Sequence, residues 1–532
     1  MGYLSATMNQ AVQWTPYKAA FTSHVTYQNP LYEVDAFYAE FISPSNKKKK
    51  IHGFWDGGMN WYIRFMPDEL GNWQYQTSCS DPANAGLHQQ MGTFTCVPNT
   101  SSLPIYQKGA ITHHSGDYHL SHTDGSPFLW VGCTAWNGLL KSTDQEWSTY
   151  LKHRADNHYT VIQCIATQWR GGDMNNHLQT AFTGQQPIQL NPAFFQHIDQ
   201  KISKVNEYGL VAALVLLWAL PYGEGRELSP GFQLPQAEAI LLAKYLVARY
   251  GAYHIVWLPG GDGLYTSIYE KRWKNIGRAV FGEKPPGVVA LHPMGRSWVG
   301  DTYAEEDWVD IIGYQSGHSS DQSSVEYITR GPATQQWGRL PPRPTINMEP
   351  CYEEIFQSIT ANDVRDAAYW SLFSTPVAGI TYGANGIWPW IREGETILNH
   401  GELSRQPVLT WKESITLPGS QQISYLAEFI QPFEWWKLRP DTSLLINQPG
   451  DQNYANFVSV VRTEDYSILL LYIPHSNSTL KIDNTRHLAY EAQWYDPIRG
   501  KYFSKTTLSS TNIICITPPI TEVLVLVLQS FK

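Results

Sequence analysis

Two carboxylates stand directly after apolar runs in this chain of 532 residues. Asp262 closes the stretch Trp257-Leu258-Pro259-Gly260-Gly261, and Glu349 follows Asn347-Met348. At the end of a buried strand, burial and neighbouring groups can move two carboxyl pKa values apart, so that one group stays protonated and the other ionised. Cleavage of a glycosidic bond needs that pair flanking the anomeric carbon. Each residue has a plainer reading. Gly-Gly-Asp-Gly before a helix fits an N-cap at Asp262, and Glu349 could serve a salt bridge in the mouth of a barrel. Glu353 and Glu354 compete as acidic groups but lie further from the strand end.

Polar and aromatic residues recur at the ends of the other apolar runs. Trp136, Trp169, Trp218, Trp388 and Trp390 offer flat faces for a sugar ring, and Arg170, His292, Arg296, Gln315, His318 and Tyr352 offer groups for its hydroxyls. Any one of them is weak evidence, but their recurrence at eight successive strand ends is much stronger. The sequence holds no HExxH, no GxxxxGK[ST], no GxGxxG and no GxSxG, which disfavours zinc proteases, nucleotide enzymes and α/β-hydrolases. Neither a metal nor a cofactor is expected.

These residues need a scaffold that gathers strand ends. Eight apolar runs are expected as strands: 128–135, 160–166, 210–218, 254–259, 288–292, 308–314, 344–348 and 379–382. Helical patterns separate most of them. Thr143 with Glu146 forms a capping box, Asn191-Pro192 opens a helix that Gly209 closes, and a helix over 235–250 stops at Gly251. Strand–helix alternation over about 300 residues predicts a (β/α)₈ barrel, whose βα loops form one mouth. Residues 1–105 read as a β sandwich of short alternating strands, 106–437 as the barrel, and 438–532 as a second β domain with a hairpin about Thr463-Glu464-Asp465.

Composition bounds the partners. Aromatic residues make up 13% of the chain and charged residues 16%, with a formal charge of −9. That balance disfavours binding to nucleic acid or to an anionic membrane, and a carbohydrate substrate is expected; a homo-oligomer is left open. The N-terminus shows no basic stretch followed by an apolar run, so a cytoplasmic location is expected, with secretion after signal removal as the alternative. The six cysteines are scattered and read as free thiols. His113, His114, His119 and His122 lack partners at metal-ligand spacing and read as exposed strand residues, and the Lys47–Lys50 run reads as a solvated hairpin tip.

Three blocks carry a resemblance. Gly53-Phe54-Trp55-Asp56-Gly57 with Arg64-Phe65-Met66-Pro67 and Gly71-Asn72-Trp73 resembles the Ig-like domain that precedes certain bacterial glycosidase barrels. Gly132-Cys133-Thr134-Ala135-Trp136, Gly260-Gly261-Asp262, Gln315-Ser316-Gly317-His318 and Glu349-Pro350 resemble the apiosidase-like glycoside hydrolases. Trp494-Tyr495-Asp496-Pro497-Ile498-Arg499-Gly500 is similar to the β domain labelled collagen-binding in such proteins. The resemblance implies a glycosidase with an Asp after strand four and a Glu after strand seven, here Asp262 and Glu349. The wider clan carries Asn-Glu after strand four, so Gly261-Asp262 makes the acid one methylene shorter. The expectation is a glycosidase acting on a plant-type oligosaccharide or glycoside, with retention favoured. The alternatives are a non-catalytic carbohydrate-binding or adhesion protein on the same scaffold, and a metal-dependent amidase, which the missing paired histidine ligands disfavour.

Overall fold

A computed structural model describes residues 9–475 and 479–531; the first eight residues, on which the reading of the N-terminus partly rests, lie outside them. Eight parallel strands run through the middle of the chain: β1 (Trp130–Thr134), β2 (Val161–Ile165), β3 (Val211–Trp218), β4 (Ile255–Gly261), β5 (Val288–Val289), β6 (Ile312–Gln315), β7 (Thr345–Glu349) and β8 (Gly379–Tyr382). β8, β1, β2, β3, β4 and β5 form one sheet in that order, and β6 pairs with β7. Parallel bridges at Ala290–Ile311 and Glu353–Ala384 link β5 towards β6, and the loops beyond β7 and β8. Every residue of the eight strands is buried, as expected where helices cover a parallel sheet. β5 is shorter than its apolar run: past Val289 the ladder is reduced to isolated bridges, Ala290 to Ile311 and Pro293 to Gly263.

The helices begin and end where local chemistry places them. Asp144–Asp156 starts at a reciprocal Thr143–Glu146 capping box. Pro192–Glu207 carries its proline in the first turn, and Gly209 turns the chain at φ +78°. Gln236–Tyr250 ends at Gly251.

The N-terminal region is two facing sheets, one of five strands and one of three. Tyr17, Ala19 and Phe21 alternate inwards along one strand and share a core with Phe41, Phe65, Trp73 and Phe94. The lysine run is not a hairpin tip: Lys48–His52 is an edge strand, where charge protects unpaired backbone from a further strand. Lys49 pairs with Asp68 at 2.6 Å and Lys50 with Glu283 at 3.1 Å. Arg249 lies buried against the central strands and pairs with Asp56 of this region and with Asp199, each at 2.7 Å.

In the C-terminal sheet of six strands, the central strands Ile468–Ile473 and Leu524–Ser530 are largely apolar on both faces. In Val523-Leu524-Val525-Leu526-Val527-Leu528 the leucines enter the core of this region, while the valines join the core of the central domain together with Leu470 and Tyr472. A period of two thus bonds the region to its neighbour. His113, His114, His119 and His122 depart from expectation: only His122 lies in a strand, where it is buried with its Nδ1 3.0 Å from the Gly109 carbonyl, and of the others only His114 is exposed. The six cysteines are free, five of them buried. Among the described residues no helix is long and apolar enough to cross a membrane.

Candidate active site

Asp262 leaves β4 in the left-handed region, at φ +49°, a conformation that Asp tolerates better than most residues. The preceding Gly261 is needed because a Cβ there would lie 2.4 Å from the Trp218 ring. Asp262 caps no helix; its Oδ1 accepts from Gln315 Nε2 at 2.6 Å. Burial, then the nearby charge of Glu349, push its carboxyl up to about 6, against the opposing pull of His292 and Gln315.

Glu349 ends β7 at 4% exposure. Its Oε1 accepts from the Tyr352 hydroxyl at 2.5 Å and lies 3.3 Å from His318 Nε2, and its Oε2 lies 3.2 Å from His292 Nε2. Burial alone would raise this carboxyl, but the two imidazoles outweigh it and hold the group far below the usual carboxylate range. His318 is raised: burial opposes its charge, and Glu349 overcomes that. Its Nδ1 lies 3.2 Å from the Pro350 carbonyl, so both ring nitrogens face acceptors, as an imidazolium requires. His292 Nδ1 accepts the Asp262 N–H at 3.3 Å, and its Nε2 lies 3.2 Å from Glu349 Oε2 without an aligned hydrogen bond. One carboxylate oxygen each of Asp262 and Glu349 and a ring nitrogen of His292 lie within 4.8 Å of one another. These donor types could hold a divalent ion.

An acid with a raised pKa beside an ionised carboxylate is the arrangement that glycoside cleavage needs. The model of the "Apiosidase-like, catalytic domain" family matches residues 114–437. The chain belongs to the apiosidase-like family. That membership makes it a glycosidase and sets aside a non-catalytic sugar-binding role. Residues 10–80 match a domain of unknown function, and 439–529 the "Putative collagen-binding domain of a collagenase". Among solved structures, a "putative glycoside hydrolase" from Bacteroides vulgatus ATCC 8482 is 17% identical, with a TM-score of 0.73 over 98% of this chain and 100% of its own. A glycoside hydrolase family 5 protein from the same organism is 23% identical, with a TM-score of 0.69 over 81% of this chain and 95% of its own. These likenesses are to the fold. No curated protein matches the chain.

Around the two carboxylates, all five expected tryptophans are buried. Trp136 sets its ring edge against His292 at 5.2 Å and donates to the Tyr352 hydroxyl at 3.0 Å. Trp218 packs between Trp136 and Trp169, and its buried Nε1 has no partner among the described residues. Trp169 is fully buried and donates to Asn137 Oδ1 at 2.6 Å, so it supports Trp218 rather than offering a free face. Trp388 lies 4.7 Å from the His400 ring. Trp390 belongs to the core: it stacks on Trp411 at 5.0 Å and offers no face to a sugar. Arg170 is buried beside Asp262, whereas Arg296 is exposed and donates to Ser323 at 2.6 Å. Glu353, the rival carboxylate, accepts from the Tyr382 hydroxyl and the Gly419 N–H, and so ties the loop after β7 to the helix Pro418–Ile430.

Sequence reasoning gave no role to Asn137 or His400. Asn137 donates to Gly171 O at 2.7 Å and Pro389 O at 3.1 Å, pinning the loops after β2 and β8. Its place at the end of β1 was a signal. His400 lies 18 residues beyond β8 in an irregular loop, where no periodicity could mark it.

Proposed function

We propose that this glycosidase hydrolyses a plant-type oligosaccharide or glycoside with retention of anomeric configuration, on a closed (β/α)₈ barrel spanning 106–437 between β domains at 1–105 and 438–532. β8 pairing with β1, and the bridges beyond β5 and β7, support closure. The observation that carries the mechanism is the proximity of Asp262 and Glu349: their nearest oxygens lie within 4.8 Å, close to the roughly 5–5.5 Å of retaining pairs and short of the roughly 6.5–9.5 Å that admits a water.

Glu349 is the nucleophile. Its Oε1 is held by Tyr352 and His318, and its Oε2, which lacks an aligned donor among the described residues, attacks the anomeric carbon. Asp262, protonated below about pH 6, gives its proton to the departing oxygen. In the second step the Asp262 carboxylate takes a proton from water, whose oxygen attacks the same carbon and releases Glu349 as carboxylate. His318 as imidazolium stabilises Glu349 ionised between turnovers. The test is a screen of purified protein against aryl glycosides and plant oligosaccharides, with Glu349→Gln in parallel. Turnover should fall by on the order of 10⁴-fold in the variant, with the circular dichroism spectrum unchanged. A fully active Glu349→Gln protein rejects the assignment.

A further inference from the structure

Gly263, directly after Asp262, bridges to Pro293: its N–H donates to His292 O at 3.3 Å, and its carbonyl accepts from Met294 N at 3.1 Å. This short ladder fixes Met294 next to the residue following Asp262. On the other flank, β3 runs out through Ala219-Leu220-Pro221 to Tyr222. The Tyr222 side chain is not buried; the residue is 52% exposed, and its hydroxyl lies 3.9 Å from Met294 Sδ. The loops after β3 and β5 therefore meet beside the end of β4, on the open side of the site, while Glu349 and His292 lie on its buried side.

The loop carrying Tyr222 is tied down. Arg170, 8% exposed, donates from Nη1 to the Tyr222 carbonyl at 3.4 Å. Gly223 then turns at φ +87° directly against the guanidinium, where a Cβ would lie 2.6 Å from Nη1. One residue on, Glu224 Oε2 accepts the Gly401 N–H at 3.2 Å from the loop after β8. Burial and then the charge of Asp262 raise the Tyr222 phenol, with Arg170 opposing, so the hydroxyl keeps its proton.

We infer that Tyr222 and Met294 form the leaving-group subsite, taking the flat apolar face of the departing sugar ring or aryl group. This rests on the reading of Asp262 as general acid. The acid must reach the leaving oxygen, so the departing group lies on the acid's side of the scissile bond and the glycone on the side of Glu349. An exposed aromatic ring whose hydroxyl lies 3.9 Å from a thioether sulfur gives that group a polarizable surface. Tyr222 and Met294 take no part in bond-making; they discriminate between leaving groups.

The test compares two substrates with one glycone: the 4-nitrophenyl glycoside that the wild-type enzyme hydrolyses, and the matching glycosyl fluoride, whose leaving group is too small to reach Tyr222. Tyr222→Ala should lower kcat/KM on the nitrophenyl glycoside roughly tenfold, mainly through KM, and leave the fluoride unchanged. Tyr222→Phe should keep most of the wild-type value, and Met294→Ala should reproduce the selective loss should Tyr222→Ala not fold. Equal losses on both substrates, or none on either, overturn the subsite while leaving the enzyme a glycosidase. A wild-type protein that cleaves no glycoside or fluoride in the panel overturns the catalytic reading, and the subsite with it.

Discussion

Gln315 Nε2 donates to Asp262 Oδ1 at 2.6 Å, across from the loop after β4 to the end of β6. A donor at a carboxylate oxygen favours the ionised form, so this bond works against the burial and the Glu349 charge that raise Asp262 to about 6. If, as proposed, Asp262 acts protonated in the first step, kcat/KM should fall as pH rises through about 6. Glu349 is ionised well below that range and does not shape this limb. Replacing Gln315 by Met removes the donor and should move the limb upwards by roughly half to one pH unit. A pH–rate profile checks it; a limb that stays or moves down contradicts the role given to Gln315.

The raised carboxyl also bears on stability. The ordinary value is 3.8 and the folded value about 6, so the fold favours protonated Asp262. Its stabilising contribution is complete below about pH 4 and is lost as pH rises through about 6. Asp262→Asn, neutral at every pH, should therefore raise stability at pH 8 by on the order of 1–3 kcal/mol and change it little at pH 4. Calorimetric melting at the two pH values decides this; a variant that is less stable at pH 8 goes against it.

Much of this site was legible because a parallel β/α pattern puts strand ends together. The runs before Asp262 and Glu349 were apolar and short, and the helices between them carried their own caps, so chain order alone placed both carboxylates at one end. What the pattern could not give is which way each polar group turns. Gln315, His318 and Tyr352 were expected to meet substrate hydroxyls, yet each spends hydrogen-bonding capacity on a carboxylate of the pair. Trp390 looked equivalent to Trp388, but the tight turn at φ +56° puts it in the core, a backbone detail without a sequence signature. The lysine edge strand was missed because an alternating strand and a polar turn look alike when nearly every residue is Lys.

Tyr352 shows how a positioning role differs from contact with substrate. Its hydroxyl receives the Trp136 N–H and donates to Glu349 Oε1. Tyr352→Phe removes a hydrogen bond to a charged group, worth about 1.5–3 kcal/mol, so kcat should drop roughly 10- to 100-fold. KM should change less than threefold or so, because no substrate contact is lost. A large rise in KM at constant kcat would return Tyr352 to the substrate.

Tyr472 of the C-terminal sheet donates to Asp366 on the helix Ala361–Ser374, stacks on Tyr369 at 4.3 Å, and receives from Arg365 Nε at 3.2 Å. All of these groups are buried where the sheet covers the central domain. Tyr472→Phe leaves Asp366 and Arg365 short of a partner and should cost about 1–3 kcal/mol of stability. Deleting 438–532 should do far more, exposing the apolar surface beneath Val525 and Val527, and yield aggregated rather than altered enzyme. A soluble, active truncated protein would show that the sheet is dispensable.

Stereochemistry gives the most direct check on the carboxylate pair. Asp262 has a shorter side chain than Glu349. The left-handed turn at φ +49° and the side-chain-free Gly261 draw the chain close to Trp218, and the nearest carboxylate oxygens come within 4.8 Å. A water between them, touching both and the anomeric carbon, needs roughly 6.5–9.5 Å. Hydrolysis followed by proton NMR should therefore show the anomer of the substrate first, with the other growing in only by mutarotation. In Glu349→Gly, azide should occupy the space of the lost carboxylate, attack from that side, and give a glycosyl azide of opposite configuration at a rate that rises with azide concentration. The opposite anomer appearing first in the wild-type reaction, or an azide product of the same configuration, would remove Glu349 as nucleophile.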